Sequence, residues 1–228
     1  MISLKNRNVA EYVELQLDKL ENSFSEQELN SIKELVYDNY TIDNEIIEDN
    51  LSDLRYFREL RNLYLVNMDI EKDSAKNIFV LPSIEEIKFE KVNFIYTEFI
   101  SNLKVKNIGF INTNLNDFSF LKQMDYLEKI EIIGAKEIKI SFFEKMKKLQ
   151  QLDLGYCNVL ETEKIIELSN LEGLYINDTN IKNIDFLLNF NLLKYVGLDE
   201  QQIDENAEII KMIKEKGIKI FINNLIEY

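Results

Sequence analysis

The sequence predicts an α/β solenoid. Its expected form is a curved right-handed arc, with a parallel sheet on the concave side and short helices or 3₁₀ turns on the convex side. A helical cap should close the N-terminal end and a helix–strand cap the C-terminal end. Three observations predict this. The spacing Leu149-x-x-Leu152-x-Leu154-x-x-Cys157-x-Val159 returns at Leu171 and Leu193, a step of 22 both times. Inside each unit, apolar residues two apart give way to apolar residues three apart, a change from strand to helical turn. The two ends of the chain break the pattern with helical stretches.

The elements follow in order. Val9, Val13, Leu17 and Leu20 form one apolar stripe, which predicts a helix over 6–21. Ser25-Glu26-Gln27-Glu28 is a capping box that opens a second, short helix with Leu29 and Ile32 inward. Together they make the N-terminal cap, residues 1–31, because an end coil exposes its apolar edge. Repeats occupy 32–203. Their units begin at Ile32, Leu60, Ile84, Val105, Leu127, Leu149, Leu171 and Leu193, with steps of 28, 24, 21 and then 22 throughout. The long first step makes room for Leu51, Leu54, Phe57 and Leu60, three apart, on the convex side; Tyr40 and Ile42 fall in the first unit. Residues 204–228 form the C-terminal cap. Asp204 to Lys216 reads as one helix with Ala207, Ile210, Ile213 and Met212 inward, ended by Gly217. Ile218 to Ile222 is a last strand, in phase with a unit starting at Glu215, and Asn223 to Tyr228 is a tail. The whole makes one continuous domain.

Side chains two apart in a strand share a face. Leu152 and Leu154 therefore point inward, and Gln151, Asp153 and Gly155 outward. Strands stack at about 4.8 Å and helices at about 10 Å, so the stack bends with its strands inside.

The pattern L-x-x-L-x-L-x-x-N/C-x-L resembles the leucine-rich repeat family. It is nearest to the 22-residue class of bacterial internalins and of phosphatase-regulating proteins. Asn116-Asp117-Phe118-Ser119-Phe120-Leu121 and Asn183-Ile184-Asp185-Phe186-Leu187 carry the likeness, which covers about residues 29–222. One departure stands out. The usual asparagine position holds Tyr40, Met68, Val92, Thr113, Ala135, Cys157, Thr179 and Gln201. The resemblance implies an asparagine ladder between coils, and this chain lacks it there.

Composition narrows the function. Forty-one acidic against 27 basic residues give a net charge of −14. Such a chain repels phosphate backbones, which excludes nucleic acid, and attracts basic proteins. No apolar run reaches the roughly 20 residues that span a bilayer, and the first eight residues lack the apolar core of a secretory signal. A single cysteine fits a reducing, cytoplasmic setting. There is no histidine, no Walker sequence and no G-x-G-x-x-G fingerprint. No cofactor, metal or catalytic residue is expected, and Cys157 falls at a buried repeat position.

The informative surface is the outward face of the last three repeats. Its candidate partner-binding residues are Asp153, Tyr156, Tyr175, Asn177, Asp178, Tyr195, Asp199 and Glu200. Stacking should put Asp153, Tyr175 and Gly197 in one row. It should also put Gly173 between Gln151 and Tyr195, leaving space for a partner's side chain. Tyrosine buries area at low entropic cost and keeps a polar tip, which suits an interface. The expected function is a monomeric, non-catalytic module that binds a protein with a basic patch. Two alternatives are an acidic immunity protein that neutralises a basic toxin or nuclease, and an internalin-like surface adhesion protein.

Overall fold

In the computed structural model the described residues are 1–39 and 51–222, with the backbone of 226–227. Tyr40, Ile42 and most of the C-terminal tail lie outside them. The chain divides into two compact units, Met1–Asn114 and Leu115–Tyr228.

The first unit opens with α1 (Arg7–Leu17) and α2 (Glu26–Ser31), followed by the parallel strands β1 (Glu34–Asp38) and β2 (Asn62–Val66). Strand β3 (Asp69–Ile70) and helix α3 (Lys72–Ile78) come next. Then follow β4 (Glu86–Glu90), β5 (Asn93–Phe94) and β6 (Asn107–Ile111). The main sheet runs β1-β2-β4-β6, all parallel, and β3 pairs with β5 in a small second ladder. Leu35 lies opposite Leu63, Leu63 opposite Ile87 and Ile87 opposite Ile108, which are the expected steps of 28, 24 and 21. Leu51, Leu54, Phe57 and Leu60 are all buried around a 3₁₀ turn at Ser52–Tyr56.

In the second unit β7 (Lys129–Ile133), β9 (Gln151–Asp153), β11 (Gly173–Tyr175), β12 (Tyr195–Leu198) and β13 (Lys219–Ile222) form a parallel sheet; β14 (Ile226–Glu227) adds antiparallel. A small ladder joins β8 (Ile138–Lys139) to β10 (Val159–Leu160). Ile130, Leu152, Leu174 and Val196 stand opposite one another, 22 apart, and all are fully buried. The returning side of each coil is a 3₁₀ turn, at Ser119–Gln123, Ile140–Phe142, Thr162–Glu167 and Asp185–Asn189.

Three expectations need correction. Helix α1 stops at Asp18, which adopts a left-handed conformation, so Leu20 is 98% exposed and drops out of the stripe. The C-terminal cap is two helices, α4 (Glu200–Glu205) and α5 (Ala207–Glu215), because a capping box at Asp199 and Gln202 starts the first one early. Asn206 breaks the run; its amide donates to the carbonyls of Gln202 and Lys182, and Ala207 and Met212 end up exposed. Gly217, at φ +78°, does end α5. The extra turn shifts the last strand: Val196 faces Ile220, a step of 24, so the unit start moves two residues past Glu215. A two-residue shift preserves which side chains face the core.

The coils are tied together without the usual asparagine ladder. Cys157 is buried, and its thiol donates to the Ile132 carbonyl. The Thr179 hydroxyl donates to the Ile176 carbonyl, and buried Gln202 donates to the carbonyls of Ile176 and Ile181. A displaced ladder sits one residue further along. Asn180 accepts from the Val159 amide and donates to the Val159 carbonyl; Asn114 does the same to Phe94. Each mimics a pair of sheet hydrogen bonds to the preceding coil.

Candidate protein-binding face

The predicted residues all belong to the second unit, and the register places them. One row across the sheet reads Lys129, Gln151, Gly173, Tyr195, Lys219. The next reads Glu131, Asp153, Tyr175, Gly197, Phe221, so the predicted alignment of Asp153, Tyr175 and Gly197 holds. Tyr175 is half-buried and Tyr195 is exposed. The rings of Tyr195 and Phe221 lie 6.2 Å apart at 46°.

Six of the eight units leave their sheet strand through a residue with positive φ. These are Asn67, Lys91, Asn112, Gly134, Tyr156 and Asp178, each eighth in its motif. Four of their amides donate to a carbonyl of the next coil: Asn67 to Glu90, Lys91 to Ile111, Gly134 to Gly155 and Tyr156 to Asn177. Asp178 donates instead to the Asp199 carboxylate, at 2.9 Å. Tyr156 is the bulkiest residue in this series, and it is 59% exposed. A left-handed backbone costs an ordinary side chain roughly 1 kcal/mol relative to glycine. The charge of Asp178, then a hydrogen bond to it, then partial burial raise the Tyr156 phenol above its ordinary range. Tyr156→Gly should therefore stabilise the chain by about 1 kcal/mol in urea denaturation, because Gly134 already fills the same position in another coil. An unchanged or lower midpoint would mean that the ring supplies packing of equal value.

Two predicted face residues are not available to a partner. Asp153 is only 8% exposed and accepts the Gly155 amide at 3.0 Å; Asn177 is 1% exposed and donates to the Asp178 carboxylate at 3.3 Å. Gly155 explains both. A Cβ there would lie 3.3 Å from the Asp153 carboxylate and 3.4 Å from the Asn177 amide, so these side chains close over the bare glycine. Gly173 is not open either, since the Gln151 stem and the Tyr175 ring would lie 3.4 and 3.5 Å from its Cβ. Asp199 is the N-cap of α4, and its carboxylate accepts from the amides of Gln202 and Asp178. That leaves Tyr156, Tyr175, Tyr195, Asp178 and Glu200 as the accessible members. Phe221, Lys129 and Lys219 also belong to the face. Alternation in the last strand marks Phe221 as outward, but the unforeseen shift hid its place beside Gly197.

Burial raises the Cys157 thiol to about 11, which makes it a packing residue. Among the described residues no group of three or more His, Cys, Asp or Glu is arranged to hold a metal ion, and no helix is long and apolar enough to cross a membrane.

No family model matches the chain. It is 28% identical, over 160 residues, to an uncharacterized leucine-rich repeat-containing protein of Amsacta moorei entomopoxvirus. The match takes in 67% of this chain and 32% of that relative, so it spans about a third of the viral protein. Among solved structures, internalin C2 of Listeria monocytogenes superposes with a TM-score of 0.63 at 20% identity, covering 92% of this chain and 96% of that one. The fold is the leucine-rich repeat. A second Listeria internalin, InlF, gives a TM-score of 0.51 at 14% identity over 94% of this chain and 87% of its own. InlP gives 0.52 at 14% identity, over 85% and 64%. At these identities the internalins define the fold of this leucine-rich repeat chain, and its binding residues are argued from its own side chains.

Proposed function

We propose that this leucine-rich repeat chain is a non-catalytic protein-binding module that captures a partner's basic patch on the sheet face of residues 115–228. One observation carries the reading. Asp178 and Glu200 are exposed, Asp178 against the Tyr156 phenol, and neither forms an ion pair among the described residues. Lys194, next to Tyr195 in the chain, is already paired with Glu172 at 2.7 Å. The acids at the rim are left to attract and orient a cationic partner. The single cysteine and the acidic charge favour a cytoplasmic setting and a monomer.

The test is affinity purification from the source cell at low and then moderate salt, with mass spectrometry of what co-elutes. Asp178→Lys with Glu200→Lys should reduce capture about tenfold or more and leave the circular dichroism spectrum unchanged. Equal capture by the double variant rejects the face. Asp199 is unsuitable for this test, because replacing it removes the cap of α4.

Two narrower readings have separate support. The acidic charge favours an immunity-type inhibitor, which would protect cells on co-expression with a basic toxin. The likeness to internalins favours a surface adhesion protein, which intact cells would present to an antibody.

A further inference from the structure

The eighth motif position lies just past each sheet strand, and in the second unit it carries an uneven set of side chains. Successive coils hold Gly134, Tyr156, Asp178 and Glu200 there, 22 apart, and all four are exposed. Tyr156 therefore has a bare glycine in the coil before it and an acid in the coil after it. Hydrogen bonds fix this order. The Tyr156 amide donates to the Asn177 carbonyl at 3.1 Å, which brings the residue beside Asp178. The Asp178 amide donates in turn to the carboxylate of Asp199, the residue before Glu200. The Tyr156 phenol donates to the Asp178 carboxylate, and the amide of buried Asn177 donates to the same carboxylate at 3.3 Å. That group is held by two donors and still faces water. The Tyr156 ring is 59% exposed, on a backbone at φ +58°. A bulky side chain is uncommon there, and the glycine one coil earlier is the residue that the conformation favours. Strained backbone of this kind collects at functional sites.

We propose that Tyr156 and Asp178 form an exposed seat for an arginine side chain of a basic protein partner, the guanidinium stacking on the ring and pairing with the carboxylate. The proposal rests on the protein-binding reading above and narrows it to one contact and one residue type. Charge complementarity selects a cation. Asp178 and Glu200 form no ion pair among the described residues, and the whole chain carries −14. Shape selects arginine over lysine. A planar guanidinium lies flat on an aromatic ring and still presents a fork of donors to a carboxylate, whereas an ammonium is a strongly hydrated point charge. The contact needs no cavity, because the ring and the carboxylate both face water. The first unit makes the ring half of such a contact with its own side chains: the Arg55 guanidinium lies 4.8 Å from the centre of the Tyr56 ring. Among the described residues no cation covers Tyr156 in this way.

The test uses the purified chain with two peptides of equal charge, hexa-arginine and hexa-lysine. Ring-proton NMR shifts of Tyr156 report the contact, and those of Tyr56, already covered by Arg55, serve as the control. Hexa-arginine should move the Tyr156 ring and leave Tyr56 in place. Hexa-lysine should bind about tenfold more weakly. Glycine suits the backbone at this position, so Tyr156→Gly keeps the fold; it should weaken hexa-arginine binding about tenfold while the urea midpoint rises as stated above. A tyrosine that served the structure alone would not part those two readouts. Tyr156→Phe keeps the ring face and should bind within about threefold of wild type. Equal affinity for the two peptides, wild-type affinity in Tyr156→Gly, or a Tyr156→Phe as weak as Tyr156→Gly overturns the proposal. If Tyr156→Gly binds normally while Asp178→Lys with Glu200→Lys does not, the acidic face stands and the contact at Tyr156 falls. If no variant changes the affinity, the face itself is wrong.

Discussion

Phe89→Ala should destabilise the chain by about 4 kcal/mol, the usual range for truncating a fully buried phenylalanine being roughly 3–5 kcal/mol. Phe89 is fully buried in the first unit. Its ring stacks on Phe110 at 5.6 Å and 13°, and meets Phe94 edge-on at 5.0 Å and Phe99 at 6.3 Å. Phe110 lies in the next coil, while Phe94 and Phe99 lie further along the same coil, so the ring ties one coil's strand to its own returning side and to its neighbour. Alanine would remove the transfer energy of the ring, the aromatic contacts and the support of three other rings at once. Phe89→Leu keeps most of the volume and should cost about 1–1.5 kcal/mol. Urea denaturation followed by circular dichroism reads both. A loss under about 1.5 kcal/mol in the alanine variant would mean that the cluster repacks freely, against the dense packing of protein interiors.

Asp53→Ala should cost about 3 kcal/mol, since a hydrogen bond to a charged group contributes roughly 1.5–3 kcal/mol. Asp53 is 1% exposed in the 3₁₀ turn that follows β1, and its Oδ2 accepts from the amides of Lys5 and Asn6, at 2.6 and 3.0 Å. Asn6 is itself buried; it caps α1 by accepting the Val9 amide, and it donates to Asn39 at 3.0 Å. One carboxylate therefore anchors the N-terminal cap to a coil nearly fifty positions away. The other oxygen, Oδ1, is buried without a hydrogen-bond partner, which offsets part of the gain. Asp53→Asn keeps an acceptor and should lose about 1 kcal/mol. Hydrogen exchange adds a local signature: the amides of Val9 and Ala10 should lose protection before those of β2 and β4. Uniform loss across the unit would show that Asp53 serves the core as a whole and not the cap.

How much was legible in advance depends on the distance over which each residue acts. The steps of 28, 24, 21 and 22 reappear as Leu35, Leu63, Ile87 and Ile108 in one sheet and as Ile130, Leu152, Leu174 and Val196 in the other. Register follows from alternation, which is a local property of the chain. The proposed face was legible only by rows. Tyr175 and Gly197 were aligned correctly, but Asp153 and Asn177 were assigned to solvent by alternation alone. Gly155 withdraws them, since a missing Cβ next door invites polar side chains to fold down onto the backbone. Asp199 was read as a face acid and proved to be a cap, because the start of α4 came earlier than its apolar spacing implied.

The sequence by itself determined the repeating coil, the direction of its strands and the burial of its leucines and isoleucines, because those depend on spacings of two, three and about 22 residues. Only the tertiary structure decided what the polar groups do. Asp53 reaches an amide 48 positions away, and Asn180 clamps a coil 21 positions back. A buried hydrogen-bonding group takes whichever partner the fold brings near, and apolar periodicity carries no record of that choice.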